Sequence, residues 1–135
     1  MSKYLINKVK KLTADGVSVA TDITSESVDL DNFQSVKVIV NSGKATTTEN
    51  NETVETTDTE DTTAKVYAVV PDGQDVLIKT IDITLGNNNV AEIDVTANEI
   101  AHYEVKSIKV VVTGIQDSTI KCSIFALLDE ARYSL

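Results

Sequence analysis

The sequence predicts an all-β domain: an antiparallel β-sandwich or jelly roll of about eight strands, with a short crossover helix and an N-terminal arm. Alternating, β-branched runs recur from Val17 to the end of the chain. Turn-forming clusters separate them at Pro71-Asp72-Gly73, Gly86-Asn87-Asn88-Asn89 and Gly114-Ile115-Gln116-Asp117. Helical segments are too few to supply parallel crossovers, so sequential strands pair antiparallel.

Taken in order, residues 1–16 read as a basic arm, 17–128 as the sandwich and 129–135 as a C-terminal tail. The arm places Leu5, Val9 and Leu12 at helical spacing but is too short to be a stable helix alone. It is expected to order on a surface, its own or a partner's. Strands are predicted near 17–23, 26–30, 34–41, 64–71, 75–85, 90–96, 105–113 and 119–128. Val36, Val38 and Val40 share one face, as do Ile108, Val110 and Val112, whereas Lys37 and Lys109 fall on the opposite face, the pattern of half-buried strands. Thr96 and Glu99 have capping-box spacing ahead of Ile100 and Tyr103, which predicts one or two helical turns over 97–103 where the chain crosses between sheets. Residues 42–63 hold nine threonines, six acids and almost nothing apolar beyond Ala45 and Val54, so a long mobile loop or a frayed hairpin extension is expected there.

Composition sets the function classes aside one by one. With 41% hydrophobic residues the chain is too apolar to be wholly disordered, and no apolar run approaches the ~18 residues of a spanning helix. Tyr4-Leu5-Ile6 is far shorter than a signal-peptide core, so Sec-type export is not indicated. The net charge of −9 opposes binding to nucleic acid or anionic membrane over the surface as a whole. The sign is uneven: the first twelve residues hold four lysines and no acid, leaving 8 basic against 21 acidic residues, a net −13, in the remainder.

No catalytic apparatus is recognisable. Cys122 is the only cysteine, so no intrachain disulfide forms, and it alternates with Ile120, Ile124 and Ala126 as a small core residue. His102 lies in the crossover with no glycine elbow or second histidine to make it a base for that thiol. One His and one Cys are too few for zinc. A hard cation would have to use Asp29 and Asp31, or Asp72 and Asp75, yet neither cluster has the glycine and bidentate glutamate of an EF-hand loop, and solvated turns explain them. Phosphate-loop and dinucleotide fingerprints are absent, and with no Trp there is little aromatic platform for a sugar. Neither a cofactor nor a small-molecule substrate is expected.

The segments Asp29-Leu30-Asp31-Asn32-Phe33-Gln34-Ser35-Val36-Lys37-Val38-Ile39-Val40-Asn41-Ser42-Gly43, Lys109-Val110-Val111-Val112-Thr113-Gly114 and Ala126-Leu127-Leu128-Asp129-Glu130-Ala131-Arg132-Tyr133 resemble a group of small tailed-bacteriophage proteins of the virion, over roughly residues 17–133. The acidic threonine-rich stretch is longer than the middle segment that the resemblance leads one to expect. The resemblance implies a capsid auxiliary or decoration protein located in the virion, assembled in the host cytoplasm, with the major capsid protein or other virion proteins as partners. A head-to-tail or tail part is the alternative, and an immunoglobulin-like surface module or a carboxylate-based glycosidase are further ones. On this reading a homo-oligomer multiplies weak contacts. Lys3, Lys8, Lys10 and Lys11 would meet acidic patches while Tyr4, Leu5, Ile6 and Val9 bury apolar surface, with Arg132 and Tyr133 in the other tail. Deleting residues 1–12 is then expected to abolish binding without unfolding the domain.

Overall fold

Alternation of inward aliphatics with outward polar residues produces two packed antiparallel sheets. The computed structural model describes residues 8–30, 33–71, 74–100 and 107–131. Its strands are β1 (Lys8–Lys11), β2 (Val17–Ser18), β3 (Ile23–Thr24), β4 (Val28–Asp29), β5 (Phe33–Ser42), β6 (Thr46–Glu49), β7 (Glu52–Glu55), β8 (Glu60–Ala68), β9 (Val76–Leu85), β10 (Val90–Thr96), β11 (Ser107–Val112) and β12 (Lys121–Ala131), with one helical turn, α1 (Ala97–Ile100). The first sheet runs β1-β12-β5-β10, with β2 also on β12; the second runs β3-β11-β8-β9, with β4 also on β11.

The pairing defines a jelly roll. Counting β1/β2 and β3/β4 as one strand each, the first pairs with the last (β12), the second with β11, the third (β5) with β10 and the fourth (β8) with β9. The chain is thus one long hairpin wrapped into two sheets, the eight-strand, double Greek-key arrangement. An immunoglobulin sandwich instead keeps its first strand beside its second, fourth and fifth, so that alternative does not describe this topology.

Val36, Val38, Val40, Ile93, Val95, Ile124 and Ala126 of the first sheet face Ala64, Val66, Ala68, Ile108, Val110 and Val112 of the second, all buried. Leu12, Val19, Leu85 and Ile120 close the ends of the core. The short strands 17–29 follow from two interruptions. Ser25 is buried and accepts a hydrogen bond from the Val110 amide at 2.9 Å through its Oγ, bridging the ladder where β3 and β4 part. Val19 donates to the Ile120 carbonyl as the chain passes from one sheet to the other.

The capping box forms as its spacing predicts. The Thr96 amide donates to Glu99 Oε1 at 2.9 Å and the Glu99 amide to Thr96 Oγ1 at 3.4 Å, and the turn leads from the first sheet toward the second. Capping lowers the Glu99 pKa: burial of the carboxyl raises it, but the Thr96 amide and the Lys79 ammonium together outweigh that. At the β9–β10 turn Gly86 has φ of +101°, and a Cβ there would sit 2.5 Å from the Asp58 carbonyl, so only glycine fits. Ser42 Oγ locks this turn by accepting from the Gly86 amide and donating to the Asn89 carbonyl.

Two segments take one of the forms expected of them and depart in detail: residues 8–11 order on the chain's own sheet, and residues 42–63 contain a hairpin rather than a mobile loop. Lys8–Lys11 is an extended edge strand on β12, not helical, and Leu12 is 1% exposed in the core. Removal of residues 1–12 would therefore strip an edge strand and a core leucine, so that truncation does not leave the domain intact. Residues 42–63 contain an ordered hairpin, β6–β7, and β8 already begins at Glu60. Threonine's β-branching and the Asn50-Asn51 turn, with φ of 51° and 65°, supply what apolar patterning lacks. No helix among the described residues is long and apolar enough to cross a membrane.

Candidate assembly surfaces

The chemistry-bearing side chains singled out in the sequence do not form a reactive centre among the described residues. Cys122 faces the core at 1% exposure, and burial pushes its thiol up to about 11, so at neutral pH it is a protonated packing group. His102, Asp31 and Asp72 lie outside the described residues. Asp29 accepts from Ser107 Oγ, and Asp75 is paired with Lys109 and with the Val70 amide, which lower its pKa. Both aspartates therefore do structural work at the β4–β11 and β8–β9 ends of the second sheet. No cluster of three potential metal ligands occurs among the described residues. An open depression of about 490 Å³ over β8–β9 is lined by Asp61, Thr62, Thr63, Asp82, Ile83 and Thr84, and Thr84 Oγ1 already donates to Asp61 at 2.7 Å.

Among the described residues two surfaces stand out that a partner could cover. The first is the outer face of the β1-β12-β5-β10 sheet. Because paired residues of an antiparallel sheet share a face, the register places Lys11, Phe125, Ile39 and Glu92 in one row and Val9, Leu127, Lys37 and Asp94 in the next. Val9 is 63% exposed, and Phe125, Ile39 and Leu127 are only half-buried. Four adjacent apolar side chains thus lie on a face that strand alternation would otherwise make polar. Charges flank them: Lys37 pairs with Glu92 at 3.0 Å, and Lys11 with Asp15 at 3.1 Å. All four charged groups are substantially exposed, so these pairs contribute little to stability.

The second surface is the β6–β7 hairpin, in which every residue from Thr47 to Glu55 is exposed. Glu49 stands opposite Glu52 and Glu55 opposite Thr46, so the ribbon is acidic on both strands. Its base is fastened by Thr119, whose Oγ1 accepts from the Thr46 amide at 2.8 Å and donates to the Thr46 carbonyl at 3.0 Å. Buried Ala45 adds a carbonyl that accepts from the Thr56 amide.

Of the partner-binding residues expected from sequence, the structure places Lys8, Val9, Lys10 and Lys11 on β1 at the sheet edge. Only Val9 and Lys11 face outward with Phe125 and Leu127; Lys10 has the opposite parity and its Nζ reaches the Ser27 carbonyl at 3.0 Å. Lys3, Tyr4, Leu5, Ile6, Arg132 and Tyr133 lie outside the described residues. Sequence reading missed Phe125, Leu127 and Ile39. The available signal was that 39, 125 and 127 are apolar at the outward parity of strands whose inward positions are already apolar.

No family model and no curated protein matches the sequence. Among solved structures the chain is similar to the VP2 subviral particle of infectious bursal disease virus, at 14% identity and a TM-score of 0.49 over 96% of this chain and 34% of that one. It is also similar to the tobacco streak virus coat protein, at 8% identity and 0.44 over 100% and 92%, and to a CBM4 structure, at 8% identity and 0.43 over 93% and 68%. The chain spans about a third of the VP2 chain it matches. Each superposition lies below a TM-score of 0.5, so the jelly-roll assignment rests on the strand order itself.

Proposed function

We propose that this chain is a non-enzymatic structural protein of a virion, an auxiliary or decoration subunit that packs on a capsid surface. The single observation that carries the reading is a sealed jelly roll whose contiguous apolar surface lies on an outer sheet face rather than in a cleft. Catalysis needs reacting groups converging in a concave, water-excluding site. Here the one cysteine is entombed and the depression over β8–β9 is open to solvent. Assembly needs contiguous apolar surface with polar groups around it, and on the β1-β12-β5-β10 face Val9, Leu127, Phe125 and Ile39 adjoin one another beside Lys11, Lys37 and Glu92. The jelly roll is an architecture that viral capsid domains use, a fold-level analogy that agrees with the resemblance to tailed-phage virion proteins.

On this reading the major capsid protein or another virion protein is the partner, and repetition over a shell converts weak single contacts into firm attachment. The β6–β7 hairpin presents acidic groups to solvent or to a basic neighbour. Quantitative mass spectrometry of gradient-purified particles is the test. A stoichiometric copy number, with the protein on the shell exterior by immunogold labelling, supports an auxiliary capsid role; density at the neck or tail assigns the connector alternative; absence from particles refutes the virion reading.

A further inference from the structure

We propose that the outer face of the β1-β12-β5-β10 sheet docks onto the same face of a second copy, about a two-fold axis parallel to the strands between β12 and β5. This deepens the assembly reading by naming one partner, another copy of this chain. Isolated exposed aliphatics are ordinary, but here Val9, Leu127, Phe125 and Ile39 adjoin one another in the register. The row through the middle runs Lys11, Phe125, Ile39, Glu92, with a cation at one edge, apolar groups in the centre and an anion at the other edge.

That order selects the symmetry. Rotation about an axis along the strands reverses the row, so Lys11 of one copy lies over Glu92 of the other, twice per dimer, while Phe125 and Ile39 meet at the centre. Rotation about an in-plane axis across the strands, between the two rows, would lay β10 on β10 and set Glu92 of each copy against Asp94 of the other, an arrangement that like charges disfavour. Within one chain Lys11 and Glu92 are three strand spacings apart, roughly 14 Å, and cannot pair. Their present partners, Asp15 and Lys37, are held in exposed bridges that rearrange readily.

The face is roughly 19 Å wide, and its patch covers about half the ~800 Å² per partner of a standard interface. Self-association through so small a patch is therefore weak in free solution and gains strength from repetition in an array.

Sedimentation equilibrium of the full chain up to several hundred micromolar tests the proposal. The wild type is expected to dimerise, K11E and E92K each to weaken the dimer about tenfold or more, and the double variant K11E/E92K to recover to within about threefold, which a merely structural effect on the monomer would not produce. Melting curves of each variant confirm that the monomer is folded. A K11C/E92C variant treated with a short bismaleimide, since face-packed sheets lie about 10 Å apart and beyond disulfide reach, is expected to give a covalent dimer. The same treatment of K11C alone or of E92C alone is expected to leave monomer. A wild type that stays monomeric at all concentrations, an unrescued double variant, or efficient self-linking of E92C would overturn it. Because purified protein is used without particles, a monomer here leaves the virion reading standing, whereas a dimer absent from particles removes that reading alone.

Discussion

Inward and outward positions of the first sheet should respond oppositely to truncation, and Ile124 and Val9 make the sharpest contrast. Ile124 on β12 is 1% exposed and packs in the shared core, whereas Val9 on β1 is 63% exposed on the outer face. Ile124→Ala removes three carbons from a site walled by both sheets. Lost transfer energy plus the residual cavity amount to about 3–4 kcal/mol. Val9→Ala removes two carbons that solvent already reaches, which changes the monomer by less than about 0.5 kcal/mol. Urea titration followed by intrinsic fluorescence or circular dichroism, at a concentration low enough to keep the chain monomeric, reads both. The expected midpoint drop for Ile124→Ala is a large fraction of a total stability of roughly 5–15 kcal/mol. Loss of under about 1 kcal/mol at Ile124, or an equal loss at Val9, would mean that the register is displaced by one residue and that inner and outer faces have been exchanged.

Three further outcomes follow from individual contacts. Ser25→Ala leaves the buried Val110 amide without its acceptor and should lower stability by about 1–3 kcal/mol, whereas Ser25→Thr should be milder if its hydroxyl keeps the bond; equal stability of Ala and wild type would remove the bridge from the account. The Cys122 thiol titrates near 11 in the fold against 9.0 when free, so between those values the unfolded chain holds fewer protons and stability falls as pH rises; thiolate absorbance appearing below pH 9.5 in folded protein would contradict its burial. Replacing residues 47–54 by a short turn that preserves Ala45, Thr46 and Thr56 should change the melting temperature by only a few degrees, because every residue from Thr47 to Glu55 is exposed; a cooperative collapse of the domain would show that the hairpin is part of the core structure.

Much of this fold was legible because its strands obey a period of two. Val90–Thr96 has the boundaries that the alternation predicts, and Val76–Leu85 begins one residue later than predicted. The Thr96–Glu99 capping box was equally readable, since it depends on local spacing alone. Less legible were β1, whose partner strand is distant in sequence, and β6–β7, a local hairpin built without apolar patterning. In β1 the lysines suit an edge strand that must not recruit others, and its apolar spacing imitates a helix until β12 supplies the hydrogen-bond ladder. In β6–β7 threonine propensity and an Asn-Asn turn do what buried aliphatics do elsewhere, and a reading keyed to apolar residues leaves a mobile loop and a frayed hairpin both open. The candidate site was only partly legible for the same reason. Lysines and apolar residues of residues 1–11 pointed to the β1 edge, but the register that aligns Val9 with Leu127 and Phe125 with Ile39 joins segments more than eighty residues apart.

On the proposed reading this jelly roll works by packing its outer sheet face in an assembly. Electron cryomicroscopy of purified particles would show that face in place. Density for this chain is expected on the shell, with Phe125, Ile39 and Leu127 covered by a neighbouring molecule. Particles in which the chain is present but that face is open to solvent would contradict it.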